Sequence, residues 1–156
     1  MHSDEHWMKE AIAAARRGIA AGQSPFGAVI VRGDELVASS HNVVWLTTDP
    51  TAHAEVTCIR EAARRLGVIK LGECRMYTTC EPCPMCASAI HWSGLASVAY
   101  GATIADADRA GFSELHMPCE RLLGEGGSPV RVSPGLLGRE CSALFEEWKR
   151  AGGRAY

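Results

Sequence analysis

Two short segments constrain the fold of this chain more than any other feature, because each stands where a helix is predicted to begin. The first is HAE at 53–55 and the second is PCPMC at 82–86. The two cysteines of the second segment are three residues apart, so both thiols lie on one side of the first helical turn. Helical side chains lean toward the helix N-terminus, so His53 and Glu55 can both reach a site beyond that end. We therefore expect a fold in which these two helix starts face each other.

Facing helix starts would bring together three metal-binding side chains, those of His53, Cys83 and Cys86. The N-terminus of a helix lowers the pKa of a thiol, which favours the thiolate form that binds metals. One imidazole and two thiolates leave one position of a tetrahedral zinc ion open, as is typical of catalytic zinc. Zinc lowers the pKa of a bound water from about 15.7 to about 7. We therefore predict one Zn²⁺ per subunit, with Glu55 beside it as the carboxyl group that moves protons.

The closely spaced cysteines also allow two non-catalytic interpretations. Cys80 could join His53 and the two other thiols in a closed, structural zinc shell. That interpretation leaves Glu55 without a role, and Cys80 ends a predicted strand, where a cysteine commonly packs as a small hydrophobic residue. An iron–sulfur site would lack the usual fourth cysteine. The catalytic zinc site is therefore the favoured prediction.

Alternating helices and strands after an initial hairpin predict a mixed sheet covered by helices, which is an α/β sandwich. The pattern follows from apolar periodicity, helix caps and turn residues. The predicted elements are a helix between Ser3 and Gly22, strands at 26–31 and 35–40, a polar loop at 41–50, a helix from Thr51 to about Leu66, a strand at 75–78, a helix at 83–92, a strand at 97–101, an irregular stretch at 106–127 with a helical turn or two, a strand at 130–132, and a last helix that starts at Ser133-Pro134.

Length and composition indicate one soluble domain over residues 1–156, in which 47% hydrophobic residues can form a core. The formal net charge is −2 and no run of Lys or Arg stands out, which argues against a nucleic-acid partner. No apolar run approaches the roughly 20 residues that a membrane span requires. The charged N-terminus is unlike a signal peptide, so we expect the seven cysteines to be thiols or metal ligands in the cytoplasm.

The two metal-binding segments resemble those of the cytidine-deaminase superfamily, whose zinc enzymes share H-x-E with P-C-x-x-C. Within it, the chain is most similar to the small guanine deaminases, and plant guanosine deaminases share many of the same segments. The matching segments are PFGAVIV (25–31), Asn42, DPTAHAEV (49–56), CEPCPMC (80–86), Trp92, AGF (110–112) and Tyr156. The resemblance implies a cytidine-deaminase-like α/β/α sandwich with a five-stranded mixed sheet. It also implies hydrolytic deamination, with guanine giving xanthine and ammonia, in a homodimer whose C-terminal segments can be exchanged.

The resemblance further implies which residues contact a small-molecule nucleobase substrate. Beside the catalytic Glu55, these are Phe26 lining or stacking on the base, Asn42 bonded to it, the backbone at Ala54 near the ring, Trp92 at the site or the dimer contact, and Tyr156 of either subunit. Glu114 takes the place of an aspartate of the guanine-deaminase pattern and would be a second catalytic carboxylate.

A glutamate at position 114 is one methylene longer than aspartate, so guanosine, cytosine and a triazine-type base stay open as substrates. A tRNA adenosine deaminase shares the zinc motifs, but it requires an RNA-binding face. This chain is net acidic and ends GGRAY without a basic tail. The favoured hypothesis is therefore a deaminase of a free nucleobase, and a non-enzymatic zinc protein is the weakest alternative.

Overall fold

The computed structural model describes every residue of the chain, from Met1 to Tyr156. None of its helices is long and apolar enough to cross a membrane. In chain order the elements are α1 (Asp4–Ala20), β1 (Gly27–Arg32), β2 (Glu35–His41), α2 (Val44–Thr47), α3 (Ala54–Leu66), β3 (Cys74–Cys80), α4 (Pro84–Ser93), β4 (Ser97–Ala102), α5 (Ile104–Ala110), α6 (Cys119–Glu125), β5 (Arg131–Ser133) and α7 (Gly138–Arg150).

The five strands form one mixed sheet in the order β2-β1-β3-β4-β5. Strand β1 pairs antiparallel with β2 and with β3, whereas β4 runs parallel to β3, and β5 runs parallel to β4. Helices cover both faces. Buried side chains of α1 and α7 form one apolar cluster with the sheet, and those of α3, α4 and α6 form another. The predicted α/β/α sandwich with a five-stranded mixed sheet is confirmed.

The parallel strands β3 and β4 determine where a site can form. They end side by side, with Cys80 paired to Ala102. Ligands in open α/β sheets bind beyond the carboxyl ends of the strands, where the connecting segments leave the sheet. The segment that follows β3 carries Cys83, and the segment that follows α5 carries Glu114. The topology therefore brings both to the same edge of the sheet.

Helix α1 lies close against the sheet because a glycine faces it. Ser3 begins the helix by accepting a hydrogen bond from the backbone N–H of His6, as expected of a serine N-cap. At Gly27 of β1, an added Cβ would overlap the backbone of Ala11 and Ala15. The absence of a side chain at this position lets the helix backbone approach the strand directly.

Helix α3 starts later than predicted, and this difference places a metal ligand. The predicted helix begins at Thr51, whose side chain could cap it, but the backbone N–H and the hydroxyl of Thr51 both bond to the Asp49 carboxylate, at 2.8 and 2.7 Å. Its hydroxyl therefore serves the preceding turn instead of the helix. His53 occupies the N-cap position with extended backbone, and its side chain makes no capping bond. The imidazole is thus free to point away from the helix.

Two regions differ from the sequence prediction. One contains more helix than expected, and in the other the helix begins at a later residue. The stretch 106–127 contains both α6 and most of α5, where only a turn or two is expected. Helix α5 has a capping box between Thr103 and Asp106, in which aspartate takes the place of the usual glutamate. Helix α7 begins at Gly138 instead of at the predicted Ser133, because Ser133 pairs in the sheet as the last residue of β5.

Candidate metal centre and active site

The starts of α3 and α4 meet, as predicted, and bring three metal-binding atoms together. His53 is the N-cap of α3, Cys83 is the N-cap of α4, and Cys86 lies in the first turn of α4. The Nδ1 atom of His53 is 3.6 Å from Sγ of Cys83 and 3.5 Å from Sγ of Cys86. All three ligand atoms lie within 4.8 Å of one another.

These distances fit a tetrahedral zinc ion. With Zn–S near 2.3 Å and Zn–N near 2.0–2.1 Å, tetrahedral geometry separates sulfur and nitrogen ligands by about 3.5 Å. Cys80, the fourth protein ligand considered above, does not join them, because its thiol points to the carbonyl oxygen of Thr103 at 3.6 Å. The chain therefore offers three zinc ligands, and one position remains for water or substrate.

Glu55 lies directly beside these ligands and is only 6% exposed. Its Oε2 is 3.5 Å from the Cys86 thiol, and its Oε1 accepts a hydrogen bond from the Thr78 hydroxyl at 3.3 Å. Burial raises the pKa of Glu55 to about 7, and the negative charge of Cys83 acts in the same direction. The hydrogen bond from Cys86, with that from His53, lowers the pKa of Cys83 to about 4, which favours the thiolate.

One cavity joins two of the metal ligands, His53 and Cys83, to four of the residues that the resemblance assigned to substrate or catalysis. Phe26, Asn42, Glu114 and Tyr156 all line it. Ala54, which stands between His53 and Glu55 in the sequence, is fully buried and does not line the cavity, so its contact with a substrate stays a prediction. The residues that line the cavity are Phe26, Asn42, His53, Glu55, Cys80, Glu81, Cys83, Glu114 and Tyr156.

Asn42 and Tyr156, which both line the cavity, are hydrogen-bonded to each other. The Asn42 side chain is fully buried, its Oδ1 accepts from the N–H of Val44, and its Nδ2 donates to the Tyr156 hydroxyl at 2.8 Å. The cavity that they line has a volume of about 20 Å³. The Tyr156 ring lies 6.0 Å from the imidazole of His53, between ring centroids.

Glu114 is half-buried in the segment between α5 and α6. Burial raises the pKa of its carboxyl group, and the charge of Cys83 adds to this effect. The neighbouring Phe112 is buried, with its ring centroid 4.9 Å from that of Phe26 and 5.6 Å from that of Tyr156. Phe112 belongs to the AGF segment of the resemblance, and the structure shows that it anchors the loop that carries Glu114.

Three contacts of the site were missed at the sequence level, and one residue that the resemblance assigned to the site or the dimer contact lies outside the cavity. Thr78, Glu81 and Phe112 had been given no role, although the spacing of Thr78 two residues before Cys80 places both side chains on one face of β3. Trp92 is 72% exposed in the last turn of α4 and does not reach the cavity of its own chain. A contact of Trp92 with a second subunit stays a prediction.

Comparison with known proteins supports this site. Residues 1–102 match the family described as the cytidine and deoxycytidylate deaminase zinc-binding region. The chain is 48% identical to the guanine deaminase of Bacillus subtilis (strain 168) over 111 residues, which cover 70% of this chain and 71% of the relative. It is 36% identical to the tRNA-specific adenosine deaminase of the same species over 154 residues, which cover 96% of this chain and 93% of the relative.

The fold is shared with a solved structure as well. A guanine deaminase from Nitrosomonas europaea matches with a TM-score of 0.88 at 29% identity, over 96% of this chain and 86% of that one. The family match spans both metal-binding segments, and the donor set that they assemble suits zinc. The resemblance expected from the sequence is thereby confirmed: the chain belongs to the cytidine and deoxycytidylate deaminase family of zinc-dependent aminohydrolases.

Proposed function

We propose that this chain deaminates guanine hydrolytically, giving xanthine and ammonia. The observation that carries the proposal is a single cavity. It combines two of the metal ligands, His53 and Cys83, and the carboxylate of Glu55 with the amide of Asn42 and the carboxylate of Glu114. Guanine has a 2-amino group and a ring N–H on one edge, and a carboxylate can accept hydrogen bonds from both. The 48% identity to a guanine deaminase supports the same substrate class.

Three side chains position the base in this proposal. Asn42 has a fixed orientation because its Oδ1 is occupied by the N–H of Val44, so its Nδ2 is the donor that a base acceptor can take over from Tyr156. Phe26 is partly buried, packs edge-on against Phe112 and presents its ring to the cavity. Glu114 approaches as the acceptor for the amino-bearing edge.

The proposed reaction adds one water to the amino-bearing ring carbon and releases one ammonia. When bound, zinc supplies a water of low pKa as the nucleophile. Glu55 accepts one proton of that water and delivers it to the ring nitrogen as the new C–O bond forms. It then takes the proton of the new hydroxyl group and passes it to the amino group, which leaves as ammonia when the C–N bond breaks and the carbonyl forms. The hydroxyl of Thr78 holds one oxygen of the Glu55 carboxylate, which leaves the other oxygen for proton transfer.

A tRNA adenosine deaminase is the second candidate, because such a relative matches 96% of this chain. Ammonia release should be measured over guanine, guanosine, cytosine, a triazine and an adenosine-containing tRNA. We expect the highest kcat/KM with guanine. Deamination of the tRNA or of another ring, with guanine inert, would keep the reaction class and reject guanine as substrate.

Glu114 is expected to act in substrate orientation or proton transfer, so Glu114→Ala should lose most activity on the true substrate. A base whose donors are left without an acceptor loses about 1–3 kcal/mol. Glu114→Asp should raise turnover of guanine relative to the other bases, because aspartate stands here in the guanine-deaminase pattern. Steady-state kinetics of both variants, with exposed Glu120→Ala as the matched control, test this. Normal activity in Glu114→Ala would remove Glu114 from the site.

We further propose that the chain is a homodimer in which Trp92 contacts the partner. The apolar side of α7 is already covered by the sheet of its own chain. Trp92 and Ile69 instead remain 72% and 84% exposed. The ammonium group of Lys70, next to Ile69 in the chain, donates a hydrogen bond to the backbone carbonyl of Trp92.

Light scattering should give twice the 16.7 kDa chain mass, and Trp92→Ser should shift the equilibrium toward monomer. A fully active wild-type monomer would contradict the proposal, and exchange of the C-terminal segment stays a prediction.

We propose the cytoplasm as the location of this enzyme. All seven cysteines are free thiols, and five of them take no part in the metal group. Thiols persist where glutathione and thioredoxin keep them reduced.

A further inference from the structure

Glu81 is a buried carboxylate to which the chemistry above assigns no role. It follows β3 directly, stands two residues before the ligand Cys83, and is only 8% exposed. Its Oε1 accepts a hydrogen bond from the backbone N–H of Ile104 at 3.1 Å, and its Oε2 accepts one from the backbone N–H of Cys119 at 2.9 Å. One side chain therefore satisfies the first N–H groups of both α5 and α6.

The two bonds enclose the segment that carries Glu114. Ile104 begins α5 and Cys119 begins α6, and between the two helices the backbone at 112–118 belongs to no helix or strand. Within this loop Phe112 is the one buried residue. The position of Glu114 thus depends on Phe112 on one side and on the two helix starts fixed by Glu81.

We propose that Glu81 is a positioning residue for catalysis, which acts by holding the loop at 112–118 so that Glu114 faces the metal centre. The inference rests on the proposed role of Glu114 in substrate orientation. A carboxylate is suited to this task because it offers two acceptor oxygens and no donor. Glutamine at the same position keeps the size, but its amide nitrogen would face one of the two backbone N–H groups, so one end of the bridge opens.

Amide hydrogen exchange tests the bridge without any substrate. In Glu81→Gln, protection at Ile104 or Cys119 should fall by roughly tenfold or more, because a buried N–H has lost its acceptor. Thr103→Val is the matched control, since it removes the side-chain cap at the start of α5 but keeps the Glu81 bonds. Unchanged protection at both amides in Glu81→Gln would overturn the proposal.

Kinetics then test whether the bridge acts through Glu114. On the substrate that the wild type deaminates, Glu81→Gln should lower kcat/KM by ~10²-fold with zinc retained, as expected for a catalytic group displaced by about 1 Å. In a Glu114→Ala background the same substitution should cost less than about twofold, because the group that it positions is gone. Additive losses in the double variant, or loss of zinc from Glu81→Gln, would overturn the positioning role. If the wild type does not deaminate guanine, the substrate proposal fails, while the exchange and double-variant results still decide the role of Glu81.

Discussion

Replacing Glu55 by glutamine is expected to lower kcat by ~10²–10⁴-fold, and by more if Glu55 serves every proton transfer of the reaction. Glutamine keeps the shape of the side chain and an oxygen that can accept from the Thr78 hydroxyl, as Oε1 does now at 3.3 Å. It cannot take a proton from water at neutral pH. The loss should therefore fall on the chemical step, and binding of the base should change little.

Zinc content and stability separate this result from a structural effect. Glu55→Gln should retain one zinc per chain, because none of the three ligands changes. It should also unfold at the same temperature or a higher one, since a neutral amide costs less to bury than a carboxylate that is 6% exposed. Glu61→Gln, an exposed change on the same helix, is the matched control. Near-normal kcat in Glu55→Gln would show that another group moves the protons.

The metal centre could be predicted from sequence because its geometry is local. Cys83 and Cys86 belong to one helical turn, and His53 begins another helix two residues before Glu55, so spacing alone limits where their side chains point. The one long-range assumption was that the two helix starts face each other. The topology of the sheet supplies it, since both helices pack on one face of the sheet.

Other features of the site depend on contacts between distant residues, which spacing does not reveal. Glu81 bonds to an amide 38 positions later in the chain, and Thr78 reaches a carboxylate 23 positions earlier. The competition for Thr51 is a different case, because there a local turn with Asp49 outweighs helix capping. The exposed position of Trp92 follows from which side of α4 faces the sheet.

The position of Tyr156 could be predicted from the family resemblance but not from the residue pattern. Nothing in the residues around Tyr156 predicts order, because a chain terminus normally frays. Nevertheless its hydroxyl accepts from Asn42 114 positions away, and its ring lies 6.0 Å from the imidazole of His53. The assignment of Tyr156 to the pocket came from the resemblance alone, and the structure places Tyr156 among the residues that line the cavity.

Removal of zinc is expected to abolish deamination and to destabilise the fold. A metal that binds only the folded chain stabilises it by RT ln(1 + [L]/Kd), about 4 kcal/mol when free zinc is 1,000 times Kd. Chelation should therefore lower the melting temperature along with activity, and added Zn²⁺ should restore both. Cys86→Ser should have the same consequences permanently, because serine does not supply a thiolate to the group formed with His53 and Cys83.

The matched variant Cys80→Ser decides between an open and a closed metal shell. Cys80 is also buried, lies at the end of β3 and lines the same cavity, but its thiol bonds to the Thr103 carbonyl and not to the metal group. Serine can still donate that hydrogen bond, so Cys80→Ser should keep one zinc per chain by metal analysis. If Cys80→Ser lost zinc as Cys86→Ser does, the shell would be closed by four protein ligands. No position would then remain for the water that hydrolysis requires, and the catalytic assignment would fail.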